Sequence, residues 1–217
     1  MDQLLTHLEP AHLLRPERGS SSRFRLGRLE LILEPVRGGY TLLCSDGSSA
    51  RSWSLGLSPE GSLWIACRLP RWPLRIGLRE TLALVPKSRV RGYLSVPLVP
   101  TLLWRRPGHA DAQVCELLPN SLTAEWEESS SLVVQRVVSP FLQRMPLPDD
   151  QLRAVVPVTI RNDSESVQCP EALPLLLADE DLGACRQHLV ARPQRLFVEG
   201  DGRIRQVSRA RQQERLP

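Results

Sequence analysis

The sequence predicts an all-β fold, sandwich-like, with two packed and mainly antiparallel layers and a short N-terminal helix. Three observations predict it. Nineteen prolines are spread through 217 residues, which leaves little room for long helices. About ten to thirteen short apolar segments alternate with turn signals, the pattern of packed β-layers. Apolar residues make up 41% of the chain, enough for a core that needs neither disulfides nor metal. The expected organisation is an N-terminal appendage and linker over residues 1–22, an all-β domain over 23–208 and a basic tail over 209–217.

The elements follow in order. Residues 2–9 place Leu4, Leu5 and Leu8 on one helical face, with Asp2 as cap and Pro10 as terminator. Residues 17–22 are polar and read as a linker. From Arg23 the apolar period falls to two, through Phe24 and Leu26, then Leu29, Leu31 and Leu33. Gly38-Gly39 and Asp46-Gly47 bracket a further strand over 40–44. Residues 63–69 form the next apolar segment. Residues 80–85 and 90–96 flank a turn at 86–89. Three strands follow over 114–118, 122–126 and 132–138. RAVVPVTIR (153–161) is a strand whose Pro157 points to a sheet edge or a bulge. Pro174 breaks any helix over 171–178, and one or two helical turns are expected over 182–188. Arg195–Val198 and Arg203–Val207 around Glu-Gly-Asp-Gly (199–202) read as a β-hairpin.

Composition narrows the function. The longest uncharged, mostly apolar run is residues 92–104 and holds two prolines, where a spanning helix needs about 20 residues. The acidic N-terminal stretch lacks the features of a signal peptide. A cytoplasmic location is therefore expected, with a peripheral position at the inner membrane left open. The five cysteines (44, 67, 115, 169, 185) are never closer than 16 residues, so neither a disulfide framework nor a zinc knuckle is expected. Lys87 is the only lysine and follows Pro86, which excludes a P-loop.

Charge is unevenly placed. Residues 203–217 carry five arginines against Glu214, which accounts for the whole net charge of +4. Residues 68–106 hold nine basic side chains and only Glu80, and residues 163–181 hold six acids and no base. Two solvated faces that partly pair with each other are expected.

Several constellations could hold chemistry. Glu125 and Glu127 flank Trp126 on a strand, which sets the carboxylates about 6.6 Å apart along one face. Paired acids beside an aromatic suit a carbohydrate or small-acid enzyme; the alternative is a solvated face with Trp126 turned inward. His7, His12, His109 and His188 do not converge with cysteines into a ligand set, so no metal and no cofactor are expected. Asn162-Asp163-Ser164 has the form of a glycosylation sequon and reads as an exposed turn. Tryptophans at 53, 64, 72 and 104 lie near arginines. The segment RLPRWPLR (68–75) concentrates this in a proline-stiffened loop with Arg68, Arg71, Trp72 and Arg75. Such side chains anchor protein interfaces or stack bases.

The order of segments resembles the uncharacterised prokaryotic family labelled domain of unknown function 432. The resemblance rests on VPLVPTLLW (96–104), LTAEWEESSSLVVQRVVSPF (122–141), VPVTIRNDSESVQCPEALPLLL (156–177) and the terminal hairpin, and spans about residues 24–208. It implies an all-β domain without established activity, and an accessory role at a membrane protein such as a small-conductance mechanosensitive channel.

The reading from sequence is a non-enzymatic interaction domain. It would bind a protein partner, membrane-associated or not, through Arg68, Arg71, Trp72 and Arg75, through tail residues such as Arg209 and Arg211, or through both. The alternatives are nucleic-acid binding by the same arginines and tryptophans, and an enzyme using Glu125 and Glu127.

Overall fold

The computed structural model describes residues 2–5, 11–16, 19–56, 61–117, 124–127, 132–147, 151–185 and 188–207. The described chain is all-β and built from short, mostly antiparallel sheets. Strands β1 (Asp2–Leu5), β2 (Ala11–Leu14), β3 (Ser22–Leu26), β4 (Leu29–Val36), β5 (Gly39–Ser45), β6 (Ala50–Gly56) and β7 (Ser62–Arg68) come first. The middle of the chain supplies β8 (Leu74–Leu78), β9 (Arg89–Pro97), β10 (Val99–Arg105), β11 (Ala112–Glu116), β12 (Ala124–Glu127) and β13 (Leu132–Ser139). The last third supplies β14 (Arg153–Asn162), β15 (Ala172–Leu175), β16 (Leu182–Cys185), β17 (His188–Ala191), β18 (Gln194–Val198) and β19 (Ile204–Gln206).

Four sheets result. Their orders are β1-β3-β4-β5-β6, β11-β10-β7-β2, β12-β13-β8-β15 and β16-β17-β14-β18-β19, with β9 added along β14. One contiguous apolar cluster joins them, from Phe24 and Leu31 in the first sheet to Ile65, Ile76, Ile160 and Leu196 in the others. Period two sets the register. In β4, Leu29, Leu31 and Leu33 are buried, while Glu30 pairs with Arg23 across the outer face at 3.2 Å. A one-residue slip would expose all three leucines, at roughly 5–9 kcal/mol. Gly38 and Gly47 take positive φ at the turns on either side of β5. Asp46 Oδ1 accepts the N–H groups of Ser48 and Ser49 at 2.9 and 2.8 Å.

Several sequence expectations are corrected. The N-terminal helix expected over 2–9 is not seen among the described residues: Asp2–Leu5 lies parallel to β3, and Ala11–Leu14 pairs with β7. A helix ended by Pro10 is too short to hold alone, whereas strand pairing satisfies the backbone and buries Leu14. Within residues 1–22 the described segments Asp2–Leu5 and Ala11–Leu14 are both paired strands. Residues 80–85 form no strand beyond an isolated bridge from Leu84 to Gln168. The described part of 182–188 is strand, not helix: Leu182–Cys185 is β16 and His188 opens β17, after a 3-10 turn at Asp179–Asp181.

Pro157 is at neither an edge nor a bulge. It sits in β14, between β9 on one side and β17 and β18 on the other. Tyr93, its partner on β9, uses its own N–H and C=O on Leu142. Tyr93 and Pro157 are therefore a non-hydrogen-bonded pair, and residue 157 turns its backbone the other way. There β17 ends its pairing at Val155 and β18 begins at Val158. The missing N–H falls in the gap between two parallel neighbours, so the proline costs no ladder bond.

Asn162 is not an exposed turn residue but fully buried. Its Nδ2 donates to the carbonyls of Leu84, Val85 and Ser166 at 2.9, 3.1 and 2.8 Å. Its Oδ1 accepts the N–H and hydroxyl of Ser164 at 3.0 and 2.7 Å. One amide thereby ties the segment before Lys87 to the acidic loop after β14.

Candidate functional site

The 68–75 segment is a loop only over residues 69–73, between β7 and β8. Leu69 and Pro70 are buried, and the Leu69 N–H donates to Asp179 Oδ1 at 2.7 Å. Arg68 Nε lies 3.7 Å from Asp179 Oδ2, and an Arg68 Nη1–H reaches Gln113 Oε1 at 3.5 Å. The basic stretch and the acidic stretch do meet here, as the charge pattern suggested. Pro73 then leads into β8, where Leu74 is buried. Between these anchors Arg71 and Trp72 are held out to solvent. Trp72 is 41% exposed, and the Arg71 guanidinium lies 5.6 Å from its ring centroid, within cation–π range. Beside the loop runs a cleft of about 400 Å³ that includes Arg68, Arg71, Thr101, Gln113, Glu116 and Asp179 in its walls.

Arg75 belongs to β8, a strand that the proline-rich sequence does not suggest. It is exposed and registers with Arg136 of β13. Arg136 Nε in turn meets Glu125 Oε2 of β12 at 2.7 Å. The structure therefore brings Glu125, Arg136 and Arg75 onto one outer sheet face and commits the Glu125 carboxylate to an ion pair. Glu127 lies on β12, but its side chain, like that of Trp126, is outside what is described. Arg209 and Arg211 lie outside the described residues. Trp64, the other tryptophan with a close arginine, packs under Arg105 at 4.2 Å and bonds Ser62, a structural contact within its sheet.

A second basic site emerges from strand pairing. Arg89 and Arg91 of β9, Thr159 and Arg161 of β14, and Arg195 and Phe197 of β18 line a trough of about 530 Å³. Register places Arg91, Thr159 and Arg195 in one row across three strands, and Arg89, Arg161 and Phe197 in the next. Arg161 pairs with Asp163. Lys87, at the rim, meets Glu165 at 2.7 Å and the Asp163 carbonyl at 2.6 Å. Arg89, Arg91 and Arg195 are exposed and have no carboxylate partner among the described residues. The sequence signal was three short patterns, RVR, TIR and RLF, separated by 70 and 36 residues. Each is an ordinary amphipathic strand until pairing aligns them.

Burial pushes the Cys44 and Cys67 thiols up to about 12 and that of Cys115 up to about 11. Hydrogen bonds from the Ser49 and Ser48 backbones hold Asp46 down at about 2. Cys185 of β16 registers with His188 of β17, yet no group of three His, Cys, Asp or Glu side chains among the described residues could hold a metal ion. Among the described residues no helix is long and apolar enough to cross a membrane. No protein-family model, curated protein or solved structure matches the chain at a significant level.

Proposed function

We propose that the chain is a non-enzymatic interaction domain that docks a protein partner on the Arg71–Trp72 loop tip. The observation that supports this is Trp72, 41% exposed on a loop whose two ends are fixed. The grip of Asp179 on Leu69 and Arg68, and the burial of Leu74, set the tip before any partner arrives. A preformed aromatic anchor beside an arginine is the side-chain pair that dominates protein interfaces, because little ordering entropy is left to lose on binding. Arg75 on the adjoining sheet face adds a positive rim. The ion pair of Glu125 with Arg136 favours a binding surface over acid–base chemistry at that face. The resemblance to the domain-of-unknown-function family makes a membrane protein the partner to seek first.

Affinity capture of the tagged chain from its host in mild detergent tests the proposal. A stoichiometric protein should co-purify with the parent chain. Trp72→Ala should reduce its recovery at least tenfold, the scale of an interface hot spot of about 2 kcal/mol. Arg71→Glu with Arg75→Glu should do likewise. Equal recovery by all three chains would remove the loop from the interface.

A further inference from the structure

The trough across β9, β14 and β18 is independent of the loop, since neither Arg71 nor Trp72 lines it. From its geometry we infer that this face binds single-stranded nucleic acid, with a phosphate seated over Thr159 between Arg91 and Arg195.

The row geometry supplies the anion seat. Adjacent strands lie about 4.8 Å apart, so Arg91 and Arg195 flank Thr159 at equal distances on either side. Two arginines and a threonine thus line the trough in one row across the central strand, within reach of one phosphate. Arg89, Arg91 and Arg195, none of which meets a carboxylate among the described residues, share this one face, and Arg89 stands one pleat along from Arg91. Guanidinium forks match phosphate oxygens in geometry as well as in charge. The acids nearby are engaged: Asp163 by Arg161, and Glu165 by Lys87. The seat therefore keeps its positive field.

The adjacent row supplies the base platform. Phe197 is half-buried and lies one pleat beyond Arg195, next to Arg161. A fixed ring beside a phosphate seat is what stacking-based recognition of single strands requires, and a stack tolerates any base. An acidic peptide would use the arginines but would leave the ring without a planar partner. A membrane surface would meet the arginines, but a half-buried ring within a trough does not insert into lipid. Duplex nucleic acid presents its bases stacked away from such a ring. The extended trough, open across three strands, fits a single strand.

The test uses the full chain and a fluorescein-labelled oligothymidylate of about 12 nucleotides, within the range of about 4–16 that one small β-domain covers. Anisotropy is followed from about 50 to 200 mM salt. Three phosphate contacts on a single strand give a log–log slope of about −2, so affinity should fall about 18-fold over that range. Arg91→Gln with Arg195→Gln leaves one contact, and the fall should shrink to about threefold. Phe197→Leu should weaken binding at least fivefold with the salt slope kept, because it removes stacking and no charge. Thr159→Val should weaken binding with that slope kept too, and it serves as the second probe of the seat should the double variant lose its fold by circular dichroism. No binding at the lowest salt would overturn the inference, as would binding that the arginine and threonine variants leave unchanged. Competition by polyglutamate or phosphatidylserine vesicles that equals competition by unlabelled strand would overturn it as well, and would assign the face to an acidic protein or to lipid.

Discussion

Replacing Asn162 by alanine should destabilise the fold by about 2–4 kcal/mol, and the size follows from what each partner has left. The three carbonyls that Asn162 serves each keep another donor. Leu84 O keeps the Gln168 N–H at 3.0 Å, Val85 O keeps the Ser88 hydroxyl at 2.6 Å, and Ser166 O keeps the Ser164 hydroxyl at 3.0 Å. The Ser164 N–H has no such reserve and loses its acceptor. One stranded donor costs about 1–3 kcal/mol, and loosening of the other bonds together with the space left by a fully buried side chain adds about 1 kcal/mol more. Urea titration followed by tryptophan fluorescence reads this directly, and the melting temperature should drop by roughly 5–15 °C. Aspartate at the same position supplies a sign test. Its carboxylate would face three carbonyl oxygens, so the charged form is disfavoured and the folded-state pKa rises. Such a group contributes stability below its unfolded pKa near 4 and loses it as pH rises. Asn162→Asp should therefore lie closer to the parent at pH 4 than at pH 7. An alanine variant within about 0.5 kcal/mol of the parent, or an aspartate variant equally unstable at both pH values, would refute the hub.

The cysteines should divide by exposure: iodoacetamide should label Cys169 and Cys185 in the native protein and spare Cys44, Cys67 and Cys115 until it unfolds. The same burial predicts alkaline weakness. The buried thiols of Cys44 and Cys67 and the half-buried thiol of Cys115 titrate at about 11–12 when folded and near 9 when unfolded, so their contribution is complete below pH 9 and falls as pH rises beyond it, which urea midpoints at pH 8 and 10.5 should show. Gly92→Ala should cost about 1–3 kcal/mol, since an added Cβ would sit 2.5 Å from the Phe141 ring and 2.7 Å from the Leu142 carbonyl; a melting temperature equal to the parent's would refute that packing. Asp46→Ala should speed amide exchange at Ser48 and Ser49, which lose their acceptor, and unchanged protection would count against the turn.

The elements that local pattern revealed are those in which burial alternates without interruption. Residues 22–45 show this: Phe24, Leu26, Leu29, Leu31, Leu33 and Leu42 face inward, and glycines with positive φ mark turns on either side of β5. The terminal hairpin was equally legible from its Glu-Gly-Asp-Gly turn. What failed were segments whose conformation is set by a distant neighbour. β1 exists because β3 offers a parallel edge, and β8 exists because β13 and β15 close on both sides of it. Neither has a strand's composition. Asn162 looked like a loop residue for the same reason, because the carbonyls that bury it come from residues 84 and 85.

The candidate sites divide along the same line. Arg71 and Trp72 were visible because a proline-bounded loop is a local feature. The arginine trough was not, because its members come from strands at 89–97, 153–162 and 194–198 and are aligned only by pairing through β14. Charge bookkeeping pointed away from it. The whole +4 can be assigned to residues 203–217, which leaves the rest of the chain neutral. Neutrality over a domain nonetheless says little about one sheet face. Carboxylates along the edges take Arg161, Lys87 and Arg205 in ion pairs, while Arg89, Arg91 and Arg195 meet none among the described residues. At physiological salt a field decays over about 8 Å, so a ligand on the trough responds to those three guanidiniums and not to the sum over the chain. A balanced sequence can thus present a strongly positive surface wherever its acids are already paired.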